Sequence, residues 1–207
     1  MSILIVDDHP LVTEGLAARL QQLGHRVAVA HNFAEARQQM CETAHSDCVL
    51  DIDLGGRLGT ELLSDPELAP YLPPRIIILS GTTDPDDIVM ALDRGAIAFV
   101  PKSIPFDDVV SALVAATAFD VSGDGADGRG RQPQIWDQER GSFVPSSQIF
   151  PKGSVLSPRE REVFALMRQG FTDKQIAANL QRSIHTIRVQ VRSITRKRGT
   201  KRRGESV

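Results

Sequence analysis

Cysteine, aromatic residues and long apolar runs are all scarce in this chain, and each shortage removes a class of explanation. Of 207 residues only two are cysteine, Cys41 and Cys48, and they do not form a Cys-x-x-Cys pair. A disulfide framework is therefore excluded, and both read as reduced, structural thiols. Aromatics make up 5% of the chain, and Trp136 is its sole tryptophan. No apolar stretch approaches the ~20 residues of a membrane span, and the start lacks the basic region and cleavage pattern of a secretory signal. The expectation is a cytoplasmic protein with no membrane partner. Nucleotide-binding signatures are missing as well: Gly55-Gly56-Arg57-Leu58-Gly59-Thr60 has neither the lysine of a P-loop nor the spacing of a dinucleotide fingerprint. His25, His31 and His45 lack metal-ligand spacing and read as surface residues, with His9 belonging to the loop beside Asp8.

What remains is ordinary globular material, 41% hydrophobic and 24% charged, with a formal net charge of -2. That small value conceals a division. Residues 1 to 151 hold 10 Lys/Arg against 22 Asp/Glu, a balance of -12, whereas residues 152 to 207 hold 14 against 4, a balance of +10. An acidic module is tied to a basic one, and basic charge of this density points to a polyanion, most simply nucleic acid.

From Met1 to Phe119 short β-branched runs alternate with helical stretches, the pattern of a doubly wound parallel sheet. Five strands are predicted: Ile3 to Val6, Val27 to Ala30, Cys48 to Leu50, Ile76 to Leu79 and Ile97 to Val100, with helices filling the gaps. Val12, Leu16, Leu20 and Leu23 recur at helical spacing after Pro10, and Gly24 ends that helix. Polar residues follow the strands: Asp7-Asp8, Asp51, Ser80 and Lys102. Carboxyl ends of parallel strands line one edge of a sheet, so these groups are expected to converge. Adjacent Asp7 and Asp8 would repel if buried together, and a divalent cation removes that objection. Mg2+ keeps waters and takes one or two carboxylates plus a phosphate, so Asp8 and Asp51 are placed to ligate directly and Asp7 through water. A carboxylate left free to attack phosphorus, with Ser80 and Lys102 holding phosphoryl oxygens, makes the set read as a phosphorylation switch.

Residues 120 to 154 are rich in glycine, Asp, Arg, Gln and Ser without periodicity and read as a linker, with Trp136, Phe143 and Phe150 available for local packing. A small helical domain is predicted over 155 to 207. Ser157-Pro158-Arg159-Glu160 is a capping box with proline at the first helical position, Gly170 ends that helix, and Thr172-Asp173-Lys174-Gln175 repeats the capping logic. Ser183 caps a third helix, where Ile187, Val191 and Ile194 form one stripe and Arg188, Arg192 and Arg196 another. Two short helices, a tight turn and a basic helix describe a helix-turn-helix.

Val6-Asp7-Asp8-His9-Pro10, Asp47-Cys48-Val49-Leu50-Asp51, Leu79-Ser80-Gly81 and Phe99-Val100-Pro101-Lys102-Ser103 together resemble the receiver domain of a bacterial two-component response regulator. The resemblance implies a flavodoxin-like five-stranded fold over residues 1 to 119. It implies that Asp51 is phosphorylated by a sensor histidine kinase, that Asp7 and Asp8 hold Mg2+ with Asp51 and the backbone carbonyl of Asp53, and that Lys102 pairs with the phosphoryl oxygens. Ser80 and Phe99 would report the event, the hydroxyl moving toward the phosphate and the aromatic turning inward. Gly55-Gly56 stand where many receivers carry proline, Ser103 where many have proline after a cis bond, and Phe99 lacks the hydroxyl of the commoner tyrosine.

Leu156-Ser157-Pro158-Arg159-Glu160-Arg161-Glu162-Val163, with Gly170, Ile176-Ala177 and Thr186 to Arg192, resembles the LuxR-type helix-turn-helix, and the pairing defines the NarL/FixJ group. By that resemblance Arg188, Val189 and Arg192 meet bases or adjacent phosphates of double-stranded DNA, with Lys174, Thr186 and Arg196 on the backbone. Arg182 and Arg198 stand where the family has apolar residues and are alternative phosphate contacts. Val207 falls inside the last helix, through which such modules dimerise, and a homodimer is expected in the active state. Two rivals stay open. Asp51-Ile52-Asp53 also resembles the Asp-x-Asp nucleophile of haloacid-dehalogenase-type phosphatases, although there the nucleophile lies on the first strand and the acidic pair comes last. The other is a DNA-binding protein whose receiver is never phosphorylated.

Overall fold

A computed structural model describes residues 1–119, 132–150 and 156–198, in two compact units, Met1–Ile149 and Phe150–Val207. The first unit is an α/β domain with a sheet sandwiched between helices. Its elements are β1 (Ser2–Val6), α1 (Pro10–Gln22), β2 (Arg26–Ala30), α2 (Phe33–Glu42), β3 (Asp47–Leu50), β4 (Asp53–Leu54), β5 (Arg57–Leu58), β6 (Arg75–Ser80), α3 (Pro85–Asp93), β7 (Ala98–Pro101), α4 (Phe106–Thr117), β8 (Gln134–Asp137), β9 (Ser142–Pro145) and α5 (Ser146–Ile149). The principal sheet runs β2-β1-β3-β6-β7-β8-β9, and its first five strands are parallel in flavodoxin-like order.

Alternation along the strands divides the core. Ile3, Ile5, Val49, Ile77, Leu79, Ala98 and Val100 face α1 and α4, packing against Leu16, Leu20, Val109 and Leu113. Their neighbours Leu4, Val6, Leu50, Ile76 and Ile78 are also buried, so the central strands are apolar on both faces, as a sheet covered on two sides requires. Helix α1 begins with Pro10 at its first turn and stops before Gly24, whose φ of +85° closes the end in the left-handed region.

Two expectations need correction. The gap between β3 and β6 holds no α-helix; the chain there forms the short β4–β5 hairpin and two 3-10 turns, Gly59–Ser64 and Ala69–Tyr71. Pro66, Pro70, Pro73 and Pro74 account for this, since each lacks the amide a helix interior needs. The second correction concerns the predicted linker. Residues 132–149 belong to the first unit, where β8 runs parallel to β7 and turns back as β9, giving seven strands rather than five. An open β7 edge would leave a row of backbone groups unpaired, and Ile135, Trp136 and Val144 supply the apolar cover, each below 10% exposed. Residues 120–131 and 151–154 of that predicted linker lie outside the described residues.

The second unit contains α6 (Pro158–Arg168), α7 (Asp173–Asn179) and α8 (Ile184–Arg198). Both capping boxes form: Ser157 with Glu160, and Thr172 with Gln175. Ser183 Oγ accepts from the Thr186 amide at 3.0 Å, as its capping role predicts. Leu156, Val163, Ile176, Ala177, Ile187, Val191 and Ile194 make the core. The expected last helix falls on residues outside those described. No helix among the described residues is long and apolar enough to cross a membrane.

Candidate functional site

The strand ends do converge. Ladder hydrogen bonds carried one residue past the strands place each group: the Asp7 amide donates to Ala30 O at 3.1 Å, Asp51 to Val6 O at 2.9 Å, and Lys102 to Ser80 O at 2.9 Å. Asp7, Asp51 and Ser80 are 2%, 4% and 3% exposed. Lys102 Nζ bonds Asp51 and lies 2.7 Å from Asp7 Oδ2. Burial opposes the charge on this lysine, but the carboxylates of Asp51 and Asp7 outweigh it and hold its pKa above the usual value. Asp51, Asp53, Ser80 and Lys102 line one cavity of about 570 Å³ together with His9, Thr82 and Asp87.

Ligand atoms of Asp7, Asp8, His9 and Asp51 lie within 4.8 Å of one another. Asp7 Oδ2 and Asp8 Oδ1 are shielded from water and each is met by a basic group, Lys102 at 2.7 Å and the His9 ring at 2.8 Å. Converging carboxylate oxygens balanced only by nearby cationic groups fit a hard divalent cation. The Asp53 amide lies 3.4 Å from Asp51 Oδ1, so its backbone addresses the cluster, and its Oδ1 accepts from the Gly56 amide at 2.9 Å. Ser80 Oγ lies 3.5 Å from the Thr82 amide. Phe99 stands outside the cavity lining, 3% exposed, on the face of the sheet that carries Ser80. No peptide bond among the described residues is cis, so Lys102–Ser103 is trans.

Sequence reasoning missed two residues here. His9 occupies the loop beside Asp8, as expected, and from there its backbone amide and Nδ1 both reach Asp7 Oδ1, at 3.0 and 3.1 Å, a site contact the loop placement alone does not give. Its adjacency to the acidic pair was the available signal. Gly59 donates to Ile52 O at 2.7 Å, and a Cβ there would meet Asp51 O at 2.1 Å, so the loop closes against the acidic strand end only with glycine.

In the helical unit Lys174, Thr186, Arg188, Val189, Arg192 and Arg196 are all exposed. Arg188 is loosely paired with Asp173 at 3.9 Å, and Thr186 Oγ1 lies 2.8 Å from Ser183 Oγ. Arg182 and Arg198 turn toward α6 instead: Arg182 bonds Glu162 at 2.8 Å, and Arg198 sits over the Phe164 ring at 5.2 Å. Glu160, 6% exposed, accepts from Lys197 at 2.7 Å and joins the start of α6 to the end of α8. Burial raises its pKa, but hydrogen bonds from Lys197, Ser193 and Ser157 overcome that and bring it down to about 2.

Residues 3–114 match the response regulator receiver domain model, and residues 154–207 match that of the bacterial regulatory proteins of the luxR family. The nitrate/nitrite response regulator NarL of Escherichia coli K12 is 28% identical over 99% of this chain and 92% of its own length. LiaR of Bacillus subtilis is 24% identical over 94% and 89%. Among solved structures, RcsB from Salmonella enterica serovar Typhimurium, bound to promoter P1flhDC in the presence of phosphomimetic BeF3-, superposes with a TM-score of 0.62 at 26% identity, covering 98% of this chain and 94% of that one. A further RcsB structure holds two dimers on two parallel DNAs, with a TM-score of 0.60, 26% identity and coverage of 98% and 93%. The chain belongs to the NarL/FixJ-type response regulators, a receiver domain joined to a LuxR-type helix-turn-helix.

Proposed function

We propose that the protein is a transcription regulator controlled by phosphorylation of Asp51 in the cytoplasm. A sensor histidine kinase supplies the group: an Asp51 carboxylate oxygen attacks the phosphorus of a phosphohistidine, a P–O bond forms as the P–N bond breaks, and the departing imidazole takes up a proton. Asp7, Asp8, Asp51 and the backbone carbonyl of Asp53 would hold Mg2+, which when bound offsets the negative charge gathering on the phosphoryl oxygens. Lys102, already bonded to Asp51, is in place to pair with one phosphoryl oxygen, and Ser80 to donate to another. Phe99, already buried, is held inward by packing alone.

The output is double-stranded DNA. Helix α8 enters the major groove with Arg188, Val189 and Arg192 toward base edges or adjacent phosphates, while Lys174, Thr186 and Arg196 hold the backbone. Phosphorylation favours a homodimer, in keeping with the dimers of RcsB on DNA. The observation that carries this reading is the meeting of Asp51 with Lys102 and Asp7 at one sheet edge. Incubation with a small acyl-phosphate donor and Mg2+ tests it: the native protein acquires acid-stable but hydroxylamine-labile phosphate, and Asp51→Asn acquires none. Undiminished labelling of Asp51→Asn removes Asp51 from the role.

A further inference from the structure

Phe99 belongs to the last of the five parallel receiver strands, where one flank would ordinarily stand open, yet it is 3% exposed. The cover comes from the chain itself. Phe99 and Ile135 are register partners across β7 and β8, and alternation puts both on the sheet face that carries Ile78 and Ser80. On the opposite face Trp136 packs with Ala98 and Val100, its ring edge-on to Phe143 at 5.1 Å, and Phe143 is edge-on to Phe119 at the same spacing.

The attachment is slender. Only two register pairs join β8 to β7, against five between β1 and β2, supplemented by a bond from the Gln134 amide to Ile97 O at 2.9 Å. Among the described residues the buried Trp136 Nε1 has no hydrogen-bond partner. A short ladder, with apolar packing through Ile135 on one face and Trp136 on the other, describes an edge element able to open as one unit.

We infer that the β8–β9 hairpin is a tethered edge element whose docking on β7 is coupled to the state of Asp51. The inference rests on Asp51 as phosphoacceptor. With Phe99 buried, Ile135 has its partner and the hairpin stays docked; with Phe99 withdrawn, that contact is lost and the β7 edge opens. A phosphoryl group that holds Ser80 and Phe99 in their buried positions therefore tightens the hairpin, and by reciprocity the hairpin tightens the phosphoryl group's hold. The consequence is a change of tether. Docked, the hairpin holds residues 132–149 in the first unit; released, those residues add to the connection between the two units, which alters their effective concentration for one another.

Trp136, being the sole tryptophan, reports docking directly in the full-length protein. Beryllofluoride with Mg2+ is the probe, and its bound fluorine-19 resonance records occupancy independently of the hairpin. On binding, acrylamide quenching of Trp136 falls and amide exchange across residues 134–145 slows. Ile135→Ala lowers the affinity for beryllofluoride about fivefold, at the lower end of ordinary coupling between sites, and Ile135→Val lowers it less, with far-ultraviolet circular dichroism recording the fold of each. A bound resonance with unchanged quenching and exchange overturns the coupling, as does unchanged affinity in folded Ile135→Ala. No bound resonance at all overturns the phosphoacceptor reading, and this inference with it.

Discussion

Lys102 Nζ lies 2.7 Å from Asp7 Oδ2 while bonding Asp51, so one ammonium from the end of β7 neutralises carboxylates from the ends of β1 and β3. Without it, two nearly buried acids would face each other across the site. A divalent cation can take over the same charge balance, and that links the lysine to the metal.

Lys102→Met should therefore destabilise the receiver by roughly 1–3 kcal/mol in the presence of a chelator, as loss of one partner of a partly buried ion pair does. Millimolar Mg2+ should restore much of the loss, which thermal unfolding with and without Mg2+ would record. The pKa of Lys102 is raised on folding, so its contribution is fully present below the ordinary value of 10.5 and is lost as pH rises through the folded value. Neutral and mildly acidic buffers should give the same difference between native protein and variant.

Gly59→Ala should damage the site through the backbone. A methyl there would stand 2.1 Å from Asp51 O, so either the loop or the strand end must shift. A loss of about 1–3 kcal/mol is expected, typical of overpacking, together with weaker Mg2+ binding by calorimetry. Native stability in this variant would show that the loop has another route past Asp51.

Glu160→Gln should loosen the helical unit, because Lys197 keeps its charge and loses its anionic partner, leaving only a neutral carbonyl in its place. A cost of roughly 1–2 kcal/mol is expected, read as faster amide exchange in α6 and α8. The native glutamate titrates near 2 rather than 4.5, so its contribution is present above 4.5 and is lost as pH falls toward 2. The difference between native protein and variant should accordingly shrink across that acid window and stay constant above it.

Arg192→Ala and Arg196→Ala should each reduce the salt slope of double-stranded DNA binding by about 0.9 if each neutralises one phosphate. Arg182→Ala should leave the slope unchanged, since that guanidinium is bonded to Glu162. Fluorescence anisotropy of a labelled duplex across a salt series distinguishes the three. A reduced slope in Arg182→Ala would mean that the ion pair opens on DNA.

Local rules were enough for much of this molecule. The apolar runs over Ile3 to Val6 and Ile76 to Leu79 announce strands buried on both faces, and the capping boxes at Ser157 and Thr172 announce where two helices begin. Even the convergence of Asp7, Asp51, Ser80 and Lys102 follows from chain order, because parallel strands put all their carboxyl ends on one edge.

Tertiary context decided the rest. Gln134–Asp137 and Ser142–Pro145 are four-residue segments with too few apolar side chains to identify themselves, and they become strands because β7 offers an open ladder and Phe119 an aromatic face. Arg182 and Arg198, read along the chain, are two more cations for DNA; only the folded unit puts Glu162 and the Phe164 ring beside them. A sequence states periodicity and caps because those act within a few residues, whereas edge pairing and charge partnering depend on which distant surface arrives next to them.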